Sequence, residues 1–315
     1  MMIQNIRKNV IKTIISFILA FIILYFLITS GDIGKILEIL SKTNFIPLLS
    51  ALIAVYITII LKSLRWRIFL SNIGVKISIL YAFKIYFFGQ FVNTLLPARV
   101  GDFYKAYILK KNLKTARSKS LGTVFIDRFY DFVIMTFLIT VSAFFVFRGN
   151  IPDGVRYTTI FLFFLIMISI MLIAFIRVYG QFVMEILPKK IGKIVANFES
   201  GILTSLKCKT IPITLLITII VWSLECVIFY LIISALGLKL PVFLILFIIS
   251  MANAIMIVPI TPSGLGFVES GILGILIFLG IDKNLAISVV LINSIINYWN
   301  LLFVGFLVYI FSKKI

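Results

Sequence analysis

The chain has no histidine and only two cysteines, Cys208 and Cys226, the second inside an apolar run. Those absences argue against a zinc site, a Cys/His nucleophile or a disulfide framework. Charge is also scarce. Charged residues make up 13% of the 315 positions, Asp and Glu together number 11, and no polar stretch is much longer than the one from Arg177 to Thr210. That leaves no room for a soluble catalytic domain.

What the chain has is apolar surface: 62% hydrophobic residues and a mean hydropathy of +1.19. A water-soluble surface could hardly be built from this mixture. A bilayer span takes about 17–25 mostly apolar residues, and such runs recur along the whole length. The net charge of +19 does not point to nucleic acid, because the 30 Lys and Arg sit in the loops between apolar runs rather than along one face or between stacking aromatics. The first run, about 13 to 30, follows Arg7, Lys8 and Lys12. It exceeds the 7–15 residues of a signal h-region and reads as the first membrane helix.

Short cytoplasmic loops are enriched in Lys and Arg, so the charges thread the chain. Five segments hold most of them: the N-terminus, Lys62 to Lys76, Arg99 to Lys119, Arg177 to Lys209, and the Lys313-Lys314 tail. Placing these inside gives six spans at about 13–30, 45–61, 121–147, 157–176, 212–236 and 285–311, with both termini cytoplasmic. Residues 79–97 and 241–281 do not fit, since each lies between two loops assigned to the same side. Both are broken. The first carries Lys84, Gln90 and Asn93 before Pro97, Arg99, Gly101 and Asp102; the second carries Pro259, Pro262, Gly264, Gly266 and Glu269. Proline and glycine at membrane depth leave backbone groups unpaired, which is tolerated only beside protein or a water-filled cavity. The expected fold is therefore all-α: a polytopic membrane protein, one integral domain over 1–315, with about six full spans and two re-entrant helical hairpins entering from opposite faces.

The two breaks resemble each other. Pro97 and Pro262 each stand four residues before a glycine, Gly101 and Gly266, with Asp102 and Glu269 just beyond. About 30 residues after each proline an i, i+4 polar pair interrupts an apolar helix, Asp127 with Asp131 and Asn293 with Asn297, each pair on one helical face. Corresponding interruptions in halves of opposite topology point to an inverted-repeat transporter, the halves being roughly 1–150 and 156–315.

An ionisable group within a span costs at least ~2.5–3.5 kcal/mol at the helix centre and usually faces an interior. Asp127, Asp131, Glu225 and Glu269 are such groups, accompanied by Arg128 and, at the first break, Arg99. Two readings stand for the first set: a buried polar site, or a helix start at the interface where acids meet the positive dipole end and Arg128 snorkels. Glu269 fits the first turn of a capped helix, and a helix N-terminus exposed at a break is also an anion site; the two readings do not exclude each other. Glu225 lies mid-span, so it is protonated or paired. The asparagines, including Asn93 and Asn253, also suit simple interhelical hydrogen bonding. Ile191, Ile194, Val195, Phe198 and Ile202 recur at helical spacing beside Lys189, Lys190 and Lys193, so 186–206 reads as an amphipathic helix lying on an anionic inner leaflet.

Gly89, Asn93, the LLPARVGD run from Leu95 to Asp102, the D-R-x-x-D of Asp127, Arg128 and Asp131, and TPSGLGFVES from Thr261 to Ser270 with Gly280 and Ala286 resemble the flippase-like membrane proteins that include the transmembrane region of lysylphosphatidylglycerol synthase. In this order the motifs are fairly specific, although singly none is. The resemblance spans nearly the whole chain and implies a unit of the cell membrane that moves a lipid headgroup between leaflets, or in archaeal relatives assists polyprenol-linked glycosylation. Expected partners are an anionic phospholipid or polyprenyl-phosphate-linked substrate; no cofactor is expected. Asn293 and Asn297, before Tyr298 and Trp299, stand where relatives often place an arginine, which leaves the substrate's charge open. No aminoacyl-transferring domain accompanies the spans, so synthase activity is not expected. Arg99, Arg128, Gly101 and Gly266 would hold the phosphate, with Asp102, Asp127, Asp131, Glu225 and Glu269 balancing the arginines or binding protons. A scaffold that docks a separate glycosyl- or acyltransferase is the second reading, and an intramembrane lipid enzyme the third.

Overall fold

The computed structural model describes all residues except 1, 98, 114, 258, 259 and 312–315, and all side chains but those of 2–13 and 181–186 as well. Pro259, the Lys313-Lys314 tail and the side chains of Arg7, Lys8 and Lys12, all used in the sequence reading, therefore lie outside the described residues. The helices are α1 (Met2–Thr29), α2 (Ile33–Ser41), α3 (Phe45–Asn72), α4 (Ile79–Leu95), α5 (Val100–Leu113), α6 (Arg117–Phe147), α7 (Asp153–Ile186), α8 (Lys189–Ser205), α9 (Ile211–Ala235), α10 (Val242–Ile255), α11 (Phe267–Phe278), α12 (Lys283–Ser294) and α13 (Asn300–Phe311). A π-helical turn, Ile295–Trp299, joins the last two. No strand occurs among the described residues. This is the expected all-α membrane protein: in hydrocarbon a backbone must satisfy its own polar groups, and a helix does so within one segment.

Five helical segments are long and apolar enough to cross a bilayer, and the bent pair α1–α2, turned by 88°, makes a sixth. Two boundaries differ from the sequence reading. The second span continues from 61 to Asn72 without a break, so much of the basic segment placed in a loop is helix. The helix expected from about 121 begins at Arg117. Asp127 thus lies nearly three turns inside α6, and the reading of Asp127, Arg128 and Asp131 as a helix start is corrected.

The chain divides into two compact units. One gathers the residues up to Tyr56, Gln90–Gly101 and those from Leu224 onward; the other holds Ile57–Gly89 and Asp102–Ser223. In the first, α2 is started by Asp32, whose carboxylate accepts from Lys35 N at 3.2 Å, while Asp32 N donates to Asn284 Oδ1 at 2.8 Å. Ala20, Leu24, Leu265 and Tyr298 form its buried apolar cluster, which ties α1 to the segment between α10 and α11 and to the π turn.

In the second unit α4 and α5 form an antiparallel hairpin. Asn112 near the end of α5 donates to the hydroxyl of Tyr81 near the start of α4 at 2.8 Å, and further in, Lys105 Nζ lies 4.3 Å from the centre of the Tyr86 ring. Here too α8 closes on α6, where Phe69, Ile126, Tyr130, Ile176 and Ile202 make a buried cluster with Phe198 against it. The apolar stripe of α8 is therefore divided: Phe198 and Ile202 pack into protein, while Ile191 and Ile194 remain exposed.

The close approach of α6 and α8 rests on two glycines. A Cβ on Gly201 would stand 2.2 Å from Lys119 O, and one on Gly122 would stand 2.7 Å from Phe198 O. Both obstacles are backbone, which cannot swing aside as a flexible side chain can. Gly201→Ala is accordingly expected to lower stability by about 1–3 kcal/mol, the range for an overfilled contact. Gly154→Ala in α7, where nothing lies within 4 Å, should change it little. Thermal unfolding in detergent reads both, and equal melting temperatures for the two variants would refute the account.

Candidate functional site

The first unit holds both helix breaks, and they are fastened together. Pro97 has no N–H, so the α4 ladder loses the bond that would satisfy Asn93 O. Ser263 supplies the missing donor, its hydroxyl reaching Asn93 O at 3.1 Å. The next carbonyl, Thr94 O, is freed as the chain leaves the helix and accepts from the Tyr298 hydroxyl at 2.7 Å. Asn93 itself bridges its own break, since its Oδ1 accepts from Gly101 N, in the first turn of α5, at 2.8 Å. Backbone groups at the first break are thus paired by Asn93 locally and by two hydroxyls from the other half of the sequence.

The second break is built around a carboxylate. Gly266 precedes α11 at φ 87°, a left-handed conformation that favours glycine, and its N–H donates to Glu269 Oε2 at 2.7 Å. Ser294 donates to Glu269 Oε1 at 2.7 Å. Of the two readings of Glu269, this is the capping one: a carboxylate already occupies the place an anion would take at that helix end. Ser263 has φ 47° and Arg99, at the first break, φ 53°, so each break holds one non-glycine residue in a conformation L side chains rarely adopt. Pro262 and Gly264 are buried in the second break, and Pro97 is half-buried in the first. Asn297 donates to Asn293 Oδ1 at 3.0 Å, as one face requires. Glu225 is half-buried on α9.

The second unit contains a chain of buried charges. Arg65, fully buried on α3, places Nε 2.8 Å from Asp127 Oδ1 and Nη1 2.9 Å from Asp131 Oδ1. It also donates from Nη1 to Thr218 Oγ1 on α9 at 2.9 Å and from Nη2 to Asp127 O at 3.2 Å. Asp131 Oδ2 then faces Arg128 Nη1 at 3.6 Å. Arg128 makes a fork to Asp102, with Nε to Oδ2 at 3.0 Å and Nη2 to Oδ1 at 3.1 Å. Asp102 in turn meets Lys105 Nζ at 2.9 Å, and Lys105 is covered by the rings of Tyr86 and Trp66. Tyr86 closes the arrangement by donating to Asp127 Oδ2 at 3.3 Å. The signs alternate along Asp127, Arg65, Asp131, Arg128, Asp102 and Lys105, and the chain is neutral as a whole.

Its position follows from helix geometry. At ~1.5 Å per residue, Arg65 lies about 30 Å along α3 from Phe45 and Asp127 about 30 Å along α6 from Phe147. That is comparable with the thickness of a hydrocarbon core.

Sequence reasoning found Asp102, Asp127, Arg128 and Asp131 but missed Arg65, Lys105, Tyr86 and Ser263. Arg65 was hidden among the basic residues assigned to a loop. A usable signal was the segment KSLRWRIF, where an arginine flanked by Leu64 and Trp66 continues the apolar run of α3.

The profile of the lysylphosphatidylglycerol synthase TM region family matches residues 12–305. A UPF0104 membrane protein of Methanocaldococcus jannaschii is 34% identical over 72% of this chain and 96% of its own. UPF0104 membrane proteins of Methanothermobacter thermautotrophicus and Pyrococcus horikoshii are each 22% identical, over 84% and 90% of this chain and 85% and 92% of theirs. No solved structure matches the chain significantly.

Removing one member of a buried ion pair leaves its partner uncompensated, at a cost of about 3–5 kcal/mol. Arg65→Met is therefore expected to abolish or strongly reduce the folded fraction, read by detergent size exclusion and thermal unfolding. Adding Asp127→Asn restores neutrality to the chain and should recover part of the loss. A double variant no more stable than Arg65→Met would show that charge balance is not what Arg65 contributes.

Proposed function

The chain belongs to the family of the lysylphosphatidylglycerol synthase transmembrane region, and from that premise we propose that it moves a phosphate-bearing lipid headgroup, of an anionic phospholipid or a polyprenyl phosphate, between the leaflets of the cell membrane. The observation that carries this reading is the alternating charge chain of Arg65, Arg128 and Lys105 with Asp102, Asp127 and Asp131. Guanidinium groups bind phosphate well; Arg65 and the Arg128 fork are held by carboxylates, so the donor that a headgroup can gain is Arg128 Nη1, 3.6 Å from Asp131 Oδ2. The distance of these charges along α3 and α6 from the far ends of the helices suits recognition at one membrane surface. The α4–α5 hairpin, with its broken tip at Pro97, is in this reading re-entrant. Arg99, at that tip, is itself a guanidinium, and the fastened breaks carry paired polar backbone where a simple span would present only hydrocarbon.

Reconstitution into liposomes with headgroup-labelled lipid, quenched from outside, tests the proposal. Wild-type protein should move a phosphatidylglycerol or polyprenyl phosphate reporter. Arg128→Lys, which keeps the charge but loses the guanidinium fork, and Arg99→Gln should each slow it at least tenfold while eluting as wild type on size exclusion. Equal rates in all three proteins would overturn the site, and movement of none of these lipids by wild type would overturn the function. A stoichiometric enzyme recovered from native membranes, with no lipid movement, would favour the scaffold reading.

A further inference from the structure

Within the charge chain, the members are unequally exposed. The side chains of Arg65 and Asp127 are 0% exposed, Lys105 1% and Asp102 9%, whereas Arg128 is 18% and Asp131 15% exposed. An arriving anion can therefore reach Arg128 and Asp131 before any other member. The contact between those two is also the longest in the chain, at 3.6 Å against 2.8–3.0 Å elsewhere. The accessible edge is thus also the least tightly bound part.

Electroneutrality constrains what can happen at that edge. Three cations and three carboxylates balance before a headgroup arrives. A phosphodiester brings one negative charge, and an uncompensated charge in so buried a chain costs several kcal/mol. No further cation need move if Asp131 takes a proton.

Resting on the lipid-translocation reading, we infer that the headgroup phosphate displaces Asp131 from Arg128 and that Asp131 simultaneously takes up a proton supplied by hydronium or buffer acid in the bulk solution, so that anion and proton bind together. No covalent bond changes apart from the O–H that forms on Asp131 and the bond to that proton that breaks in the donor acid. The count stays neutral, with three cations set against Asp102, Asp127 and the phosphate. The charged groups acting on Asp131 are Arg65 and Lys62 from α3 and Arg128 from its own helix. The Tyr86 hydroxyl from α4 faces the same carboxylates, Asp102 on α5 is reached through Arg128, and α9 contributes the hydroxyl of Thr218 to Arg65. Asp127, held by Arg65 and Tyr86 with no exposed atom, keeps its charge throughout.

The consequence is a linkage: one proton bound with each headgroup makes affinity fall tenfold for each unit rise in pH over the range where Asp131 is ionised in the free protein and protonated in the complex. The measurement is titration of purified, detergent-solubilised protein with short-chain phosphatidylglycerol, following Kd from pH 5 to 8 and proton uptake with an indicator dye in weak buffer. Wild type should show the tenfold dependence and take up about one proton per headgroup. Asp131→Asn, already neutral at that position, should bind at every pH at least as tightly as wild type at its low-pH limit, with no uptake. This gain of affinity separates the inference from structural damage, which would weaken binding. A pH-independent Kd in wild type, uptake that persists in Asp131→Asn, or no binding at any pH would each overturn it. Protein that binds with proton uptake yet moves no lipid between leaflets would overturn the proposed function and leave this linkage standing.

Discussion

Arg65 is a permanent cation without access to water, and the second unit is arranged around that constraint. A guanidinium does not lose its proton in a protein, so burying it requires carboxylates close by, and those carboxylates need partners in turn. Asp127 and Asp131 meet the first demand from one face of α6. Their own remaining oxygens call on Tyr86 from α4 and Arg128 from α6, and Arg128 brings in Asp102 and Lys105 from α5. Helices with little polar surface are in this way held in one mutual register by a chain in which each member has a neighbour of opposite sign. Lipid-facing packing among Leu, Ile and Phe could not select that register, because hydrocarbon solvates apolar side chains equally well on any face.

The same requirement acts on backbone in the first unit. Pro97 removes a donor, and a hydroxyl from the second break replaces it; the chain end of α4 releases a carbonyl, and Tyr298 takes it up. Neither break is satisfied by residues near it in sequence alone. Ser263 and Tyr298 lie far along the chain from Asn93 and Thr94, so the broken segments are folded correctly only when the two parts of that unit are together. The π turn at Ile295–Trp299 adds a residue to the helix just where Tyr298 must project, and such local widening commonly accompanies a side chain with a specific task.

Much of this was legible in the residues. Long apolar runs bounded by Lys and Arg gave the spans because length and hydropathy alone decide whether a helix can cross hydrocarbon. The breaks were legible because Pro97, Gly101, Pro262 and Gly266 have backbone consequences independent of context, and the Asp127–Asp131 pairing because helical spacing is fixed. Arg65 was not legible. A cation near the end of a span looks the same in sequence whether it snorkels to the interface or turns inward, and only the carboxylates of another helix decide between the two. Lys105 was hidden likewise in a basic segment. The helix α2 escaped because its nine residues are too few to show periodicity, and it depends on Asp32 and the contact with Asn284.

The two breaks share a pattern of proline, glycine and acid, yet their chemistry differs, and the difference bears on where an anion can bind. At the second, Glu269 turns back to cap α11, so the positive end of that helix is already matched by a fixed negative charge. At the first, the equivalent backbone donor of α5 is met by the neutral side-chain oxygen of Asn93, and the acid of the first turn, Asp102, faces away to Arg128 and Lys105. Each break thus has an acid in the first turn of the helix that follows, but only at the second does that acid accept from the backbone donor at the helix start. An anion approaching the start of α11 would meet a fixed carboxylate, whereas at the start of α5 the donor is held by an amide oxygen. Pattern symmetry between the breaks thus coexists with a difference in chemistry, because a short motif fixes where the backbone turns but not which side chain satisfies it.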